Sequence, residues 1–138
     1  MGKINWGRVV LCGFLTGVVW GVLFAIALPL VGRDFLAALP GGHHIPGTSA
    51  GLRAIVMITP LALGISTMWL YAAIRPRYGP GPKTAAVAGF ALWFIGSWAD
   101  AFWAALGAVP LGVLVGPVAA NLPIAVVAAV AGAWLYKE

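Results

Sequence analysis

The stretch VVLCGFLTGVVWGVLFAIALPLV, residues 9–31, decides the fold. It carries no charged side chain, and it is bracketed by Lys3 and Arg8 before and by Arg33 and Asp34 after. As an α-helix it rises roughly 34 Å, enough to cross a hydrocarbon core of about 30 Å. A cleaved signal peptide is the rival reading, because Ala25-Ile26-Ala27 looks like a small-residue cleavage site. The run is too long for that, since the apolar part of a signal spans about 7–15 residues.

Working outward, three more apolar runs cover residues 51–74, 84–109 and 111–136. The chain therefore reads as all-α: one transmembrane domain over residues 1–138, an integral membrane four-helix bundle with antiparallel up-down topology. Proline is tolerated inside membrane helices, so Pro60 and Pro123 predict kinks rather than breaks. Pro76 is expected to stop the second helix at Arg75. Pro110 makes a tight hairpin between the last two runs. Residues 32–50 form the longest loop, with the turn chemistry of Pro40-Gly41-Gly42-His43-His44-Ile45-Pro46-Gly47 inside it. Residues 34–39 have room for one interfacial helical turn.

Composition points the same way. Of 138 residues, 62% are hydrophobic and 8% charged, whereas a soluble domain carries about 25% charged residues. So few charges cannot clothe a soluble surface, and the same numbers exclude intrinsic disorder. The net charge of +5 does not point to nucleic acid, because the cations cluster at the ends of apolar runs instead of forming a patch on a polar face. The single cysteine, Cys12, rules out an intramolecular disulfide.

The distribution of charge sets the expected orientation. With four spans, Lys3, Arg8, Arg75, Arg77, Lys83 and Lys137 share one side, and Arg33 and Arg53 lie on the other. The positive-inside rule then puts both termini on the cytoplasmic side. Trp6, Trp69, Tyr71, Tyr78, Trp134 and Tyr136 fall at that same boundary, as an aromatic belt would.

Helical periodicity separates inner from outer faces. Gly13, Gly17 and Gly21 repeat every four residues, a small-residue face that lets another backbone approach closely. In the third span Gly89, Trp93, Gly96, Asp100, Trp103 and Gly107 fall within about 40° of one direction. The second span gives Arg53, Met57, Pro60, Gly64, Thr67 and Tyr71, and the fourth gives Asn121, Ala125, Ala128 and Gly132. Gly13, Gly17, Gly21, Gly89, Gly96 and Gly132 are thus the expected packing residues.

Asp100 is the acid within a predicted span, and intramembrane carboxylates default to functional hypotheses. Counting from the outer helix ends, Asp100 should lie roughly 12–14 Å deep and Asn121 roughly 15 Å deep. Trp20 falls at a similar depth, and Arg53 starts near the outer surface. Asp100, Arg53 and Asn121 are expected to form a buried polar cluster, either a structural ion pair or a proton or cation site. Arg75, Arg77 and Lys83, in a stiff Pro- and Gly-rich loop, either set topology or contact anionic lipid headgroups or a partner subunit. His43 and His44 are weak metal candidates, because adjacent loop histidines point different ways and only Asp34 is near. Neither lies in a span, so a bis-histidine haem in the bundle is excluded, and no cofactor is expected. Phe90, Phe94, Trp98 and Phe102 make an i,i+4 ladder, read as lipid-facing.

The opening Ile4-Asn5-Trp6-Gly7-Arg8-Val9-Val10 resembles, together with the segment from Trp69 through Arg75-Pro76-Arg77-Tyr78-Gly79-Pro80-Gly81-Pro82-Lys83-Thr84 and the closing Gly132-Ala133-Trp134-Leu135-Tyr136, a group of small bacterial inner-membrane proteins. No activity attaches to that group, so the resemblance implies location and fold but no functional residue. Small multidrug-resistance transporters are similar in architecture alone: they carry a membrane-embedded glutamate in the first helix, and this first helix has no acid.

No nucleophile stands beside a base, and there is no phosphate loop or carboxylate pair, so an enzyme is not expected. The expectation is a structural or accessory subunit, in a homo-oligomer or a larger membrane complex. The alternative is a minimal transporter or proton-coupled channel using Asp100.

Overall fold

The structure is a computed structural model, and it describes residues 4–38 and 50–136, without the side chains of residues 50, 52 and 53. It is all-helical: α1 (Trp6–Val31), α2 (Arg33–Ala38), α3 (Ala50–Tyr78), α4 (Pro82–Ala105) and α5 (Leu111–Leu135). Four of these, α1, α3, α4 and α5, are long and apolar enough to cross a membrane.

The helix ends follow local chemistry. Asn5 caps α1, its side-chain oxygen accepting from the Arg8 backbone N–H at 3.2 Å. Pro82 opens α4, where a missing N–H costs nothing. The expected stop at Arg75 does not occur, and α3 runs on to Tyr78 with Pro76 inside it. Pro76 lies in the last turn, so its ring disturbs a helix that is already ending. Termination falls instead to Gly79, whose φ of +83° a side chain would resist and whose N–H returns to the Arg75 carbonyl at 2.9 Å. α4 likewise ends at Ala105, short of the expected Val109, and Gly107 turns the chain at φ +76°.

Around the bundle, α1 lies against α3 and α5, and α4 lies against α5 and α3. Glycines set the closest approaches. A Cβ on Gly13 would stand 2.5 Å from the Ile65 Cα, and one on Gly17 would stand 2.6 Å from the Leu61 Cα and the Pro60 carbonyl oxygen. From the other side, a Cβ on Gly64 would strike the backbone of Gly13 and Gly17. A Cβ on Gly89 would meet the Ala125 carbonyl oxygen at 2.7 Å, and one on Gly132 would collide with the Thr16 hydroxyl. In lipid, where apolar burial does not drive helices together, such close backbone contact supplies the attraction.

Burial is not uniform along the bundle. At the end where α1 begins, Val9, Cys12, Met68, Tyr71, Ala72, Ala85, Ala88 and Tyr136 form one packed cluster. At mid-height Trp20, Ile124, Ala125 and Ala128 form a second. Beyond it burial falls away along α3 and α4. Among the described residues, α3 has no buried position before Gly64 and α4 has none after Gly89. That leaves about 15 Å of α3 (54–63) and about 24 Å of α4 (90–105) without a buried side chain. Ile55-Val56-Met57-Ile58 in α3 and Phe94-Ile95 with Trp98 in α4 are bulky and exposed, and the small Gly96 between Ile95 and Trp98 meets no neighbouring helix.

Candidate functional site

Three regions carry the polar chemistry: a mid-bundle contact, the open flank of α4, and the basic end where α1 begins.

The mid-bundle polar contact joins α1 to α5. The Trp20 indole Nε1 donates to Asn121 Oδ1 at 2.8 Å. Trp20 is eleven residues from the end of α1 and Asn121 ten from the start of α5, so both sit about 15–17 Å from their helix ends. One turn away, the Trp93 Nε1 donates to the Val118 carbonyl at 2.8 Å, tying α4 to α5. The hydroxyls turn inward on their own helices. Thr16 donates to the Cys12 carbonyl at 2.9 Å, Thr67 to Leu63 at 2.7 Å and Ser97 to Trp93 at 2.8 Å. Each satisfies itself locally, so these hydroxyls are not aligned into a relay between helices.

Asp100 departs from the expected cluster. It is exposed on α4, and Asn121 bonds to Trp20 instead of to it. The face that closes onto α5 at Gly89 and Trp93 continues to Gly96 and Asp100, but there the bundle has opened. A Cβ on Gly96 would find nothing within 4 Å, so Gly96 is not a packing residue within this chain. Because α4 stops at Ala105, Asp100 lies about 7–8 Å from the helix end, shallower than expected. The backbone of Arg53 lies in the first turn of α3. Its side chain is outside the described residues, and so is any Arg53–Asp100 pairing. Phe90, Phe94 and Trp98 form the outward ladder, with ring centroids 6.0 Å and 6.1 Å apart. Phe102 leaves the ladder and pairs with Trp103 at 5.9 Å.

Gly13, Gly17 and Gly21 meet α3; a Cβ on Gly21 would stand 3.3 Å from the Pro60 Cβ. Gly89 meets α5, and Gly132 meets α1 and Met68. Periodicity did not identify Gly116, whose Cβ would stand 2.5 Å from the Val31 carbonyl oxygen. It is off the Asn121 stripe, and it serves the contact between α5 and the end of α1 rather than the bundle axis.

At the basic end, Arg77 and Lys83 are exposed and Arg75 is half-buried. The Arg75 guanidinium lies 5.6 Å from the centroid of the Tyr136 ring, and Tyr136 meets Tyr71 edge to face at 5.7 Å. His43 and His44 lie outside the described residues. Among the described residues no group of three or more His, Cys, Asp or Glu comes together.

No family model matches the chain, and no curated protein or solved structure matches it either.

Proposed function

We propose that this chain is a multi-pass protein of the bacterial inner membrane, both termini cytoplasmic, that serves without enzymatic activity as an accessory subunit of a larger membrane complex. The single observation that carries the reading is the open flank: Gly96 and Asp100 lie exposed on α4, in a stretch of that helix that holds no fully buried residue, and Gly96 has nothing opposite it. A carboxylate within a span is costly unless it is paired, and a glycine with nothing opposite it leaves room for another backbone. The occupant that fits is a helix of another membrane chain, with Lys, Arg or a hydrogen-bond donor at the depth of Asp100. A second copy placed symmetrically on this flank would set two carboxylates against each other. Sidedness follows from the six cations at one end against two at the other. The transporter reading is the weaker one, because the half of the bundle below Trp20 is filled by Thr16, Thr67, Met68, Ala85, Ala88 and Ala125.

Photo-crosslinking from position 96 or 103 in native membranes tests this, with position 11 as a control on the closed half. The expected result is an adduct from 96 and 103 alone. Its partner peptide, mapped by mass spectrometry, should bear a cation or donor, and the adduct should fade in Asp100→Leu. A homodimer adduct from 96 would refute the hetero-complex. Asp100-dependent proton flux in proteoliposomes would favour transport.

A further inference from the structure

A cleft of about 460 Å³ opens at the end of the bundle where α1 begins. Tyr71 and Arg75 of α3, the turn Pro80-Gly81-Pro82, and Trp134 and Tyr136 at the end of α5 form its walls. Its size falls in the range of about 300–1,000 Å³ usual for small-ligand sites.

The walls are held before any ligand arrives. The Gly81 backbone N–H donates to Tyr71 Oη at 3.3 Å, and the Thr84 hydroxyl donates to the Gly79 carbonyl at 2.7 Å. Proline on both sides of Gly81 stiffens the turn further. Tyr71 and Tyr136 lock edge to face, and the Arg75 guanidinium lies over Tyr136. That contact orients a planar fork of donors whose geometry matches phosphate.

The surroundings are cationic and amphipathic. Arg8, Arg77 and Lys83 stand exposed at this end. The acids among the described residues, Asp34 and Asp100, belong to the opposite end. Trp134 and the prolines supply an apolar wall at the end of four helices apolar enough to cross a membrane.

We infer that this cleft binds a phosphate ester carrying an apolar part, with Arg75 receiving the phosphate and Trp134 and Tyr136 flanking the remainder. The inference is independent of the accessory role, which rests on the opposite half of the molecule. Two sources share this chemistry, a membrane phospholipid and a soluble phosphate ester. Glu138 lies outside the described residues.

Native mass spectrometry of the full chain in a non-ionic detergent tests the inference. The probes are short-chain phosphatidylglycerol, diacylglycerol of the same chains, and glycerol phosphate. Phosphatidylglycerol should bind at least about tenfold more tightly than diacylglycerol, and Arg75→Gln should remove about that factor, the scale of a lost charge-assisted hydrogen bond. Arg77→Gln and Lys83→Gln should each shift affinity by about threefold or less, as exposed charges do. Tyr136→Leu, which removes the ring under Arg75, is the companion variant in case Arg75→Gln fails to fold. Glycerol phosphate binding as tightly as phosphatidylglycerol would overturn the apolar half of the proposal, since that probe has no apolar part for Trp134 and Tyr136 to flank. Diacylglycerol binding equally well would overturn the proposal, as would wild-type affinity in a folded Arg75→Gln or Tyr136→Leu.

Discussion

Asn121 and Asp100 are the polar residues of the spans that the sequence singles out, and the structure gives them opposite surroundings. Asn121 is used inside the chain, as the acceptor for the Trp20 indole. Interhelical hydrogen bonds in membranes average about 0.6 kcal/mol and reach about 1.7. Asn121→Leu and Trp20→Phe should each lower stability by that order. The double variant should lose little more than either single one, which an unfolding cycle in detergent would read. Strict additivity would mean that the two side chains do not interact. Asp100 is exposed, so Asp100→Asn in the isolated chain should change stability by no more than about 0.5 kcal/mol, as at other exposed sites. A loss of several kcal/mol in that variant would instead reveal a partner within the chain.

The contrast among helix elements is between glycines that are pressed and glycines that are not. Gly64 is opposed by the backbone of Gly13 and Gly17, which cannot yield as the tip of a flexible side chain can. Gly64→Ala should therefore force α1 and α3 apart and cost about 1–3 kcal/mol or more, the usual penalty of overpacking. Gly96→Ala meets open space. It should be neutral or stabilising by up to about 1 kcal/mol, because alanine is the better helix former. Thermal unfolding of the two variants side by side checks both directions. Equal destabilisation would mean that the flank is closed in solution. α3 makes a related point about proline: the residue that breaks a helix in mid-course is harmless in its last turn, and the left-handed Gly79 ends the helix instead.

For the whole molecule, tight packing in one half and separation in the other predicts unequal protection. Backbone amides of residues 64–72 and 84–89 should exchange more slowly in detergent than those of 54–63 and 90–105, because exchange follows local opening. Uniform protection along α3 and α4 would contradict the splay. The proposed orientation makes a separate prediction. A C-terminal fluorescent protein should fold and fluoresce in the cytoplasm, and a C-terminal alkaline phosphatase should be inactive. The reverse pattern would invert the topology.

What the sequence determined by itself was carried by composition, length and period. Runs of about twenty apolar residues with few charges read as helices long enough to cross a membrane, so the all-helical class and the four long helices were legible from residues 9–31 outward. The glycine faces were legible too, since a four-residue repeat places Gly13, Gly17 and Gly21 on one line whatever they touch. Which glycine meets which helix was not legible, because Gly96 lies on the same stripe as Gly89 and finds nothing opposite. Nor could the stripe show that Asp100 and Asn121 part company. Periodicity gives the direction of a side chain but not whether the neighbouring helix is still there at that height. Tertiary structure decided that: among the described residues α3 has no buried residue before Gly64 and α4 none after Gly89, although small residues such as Gly96 continue along α4.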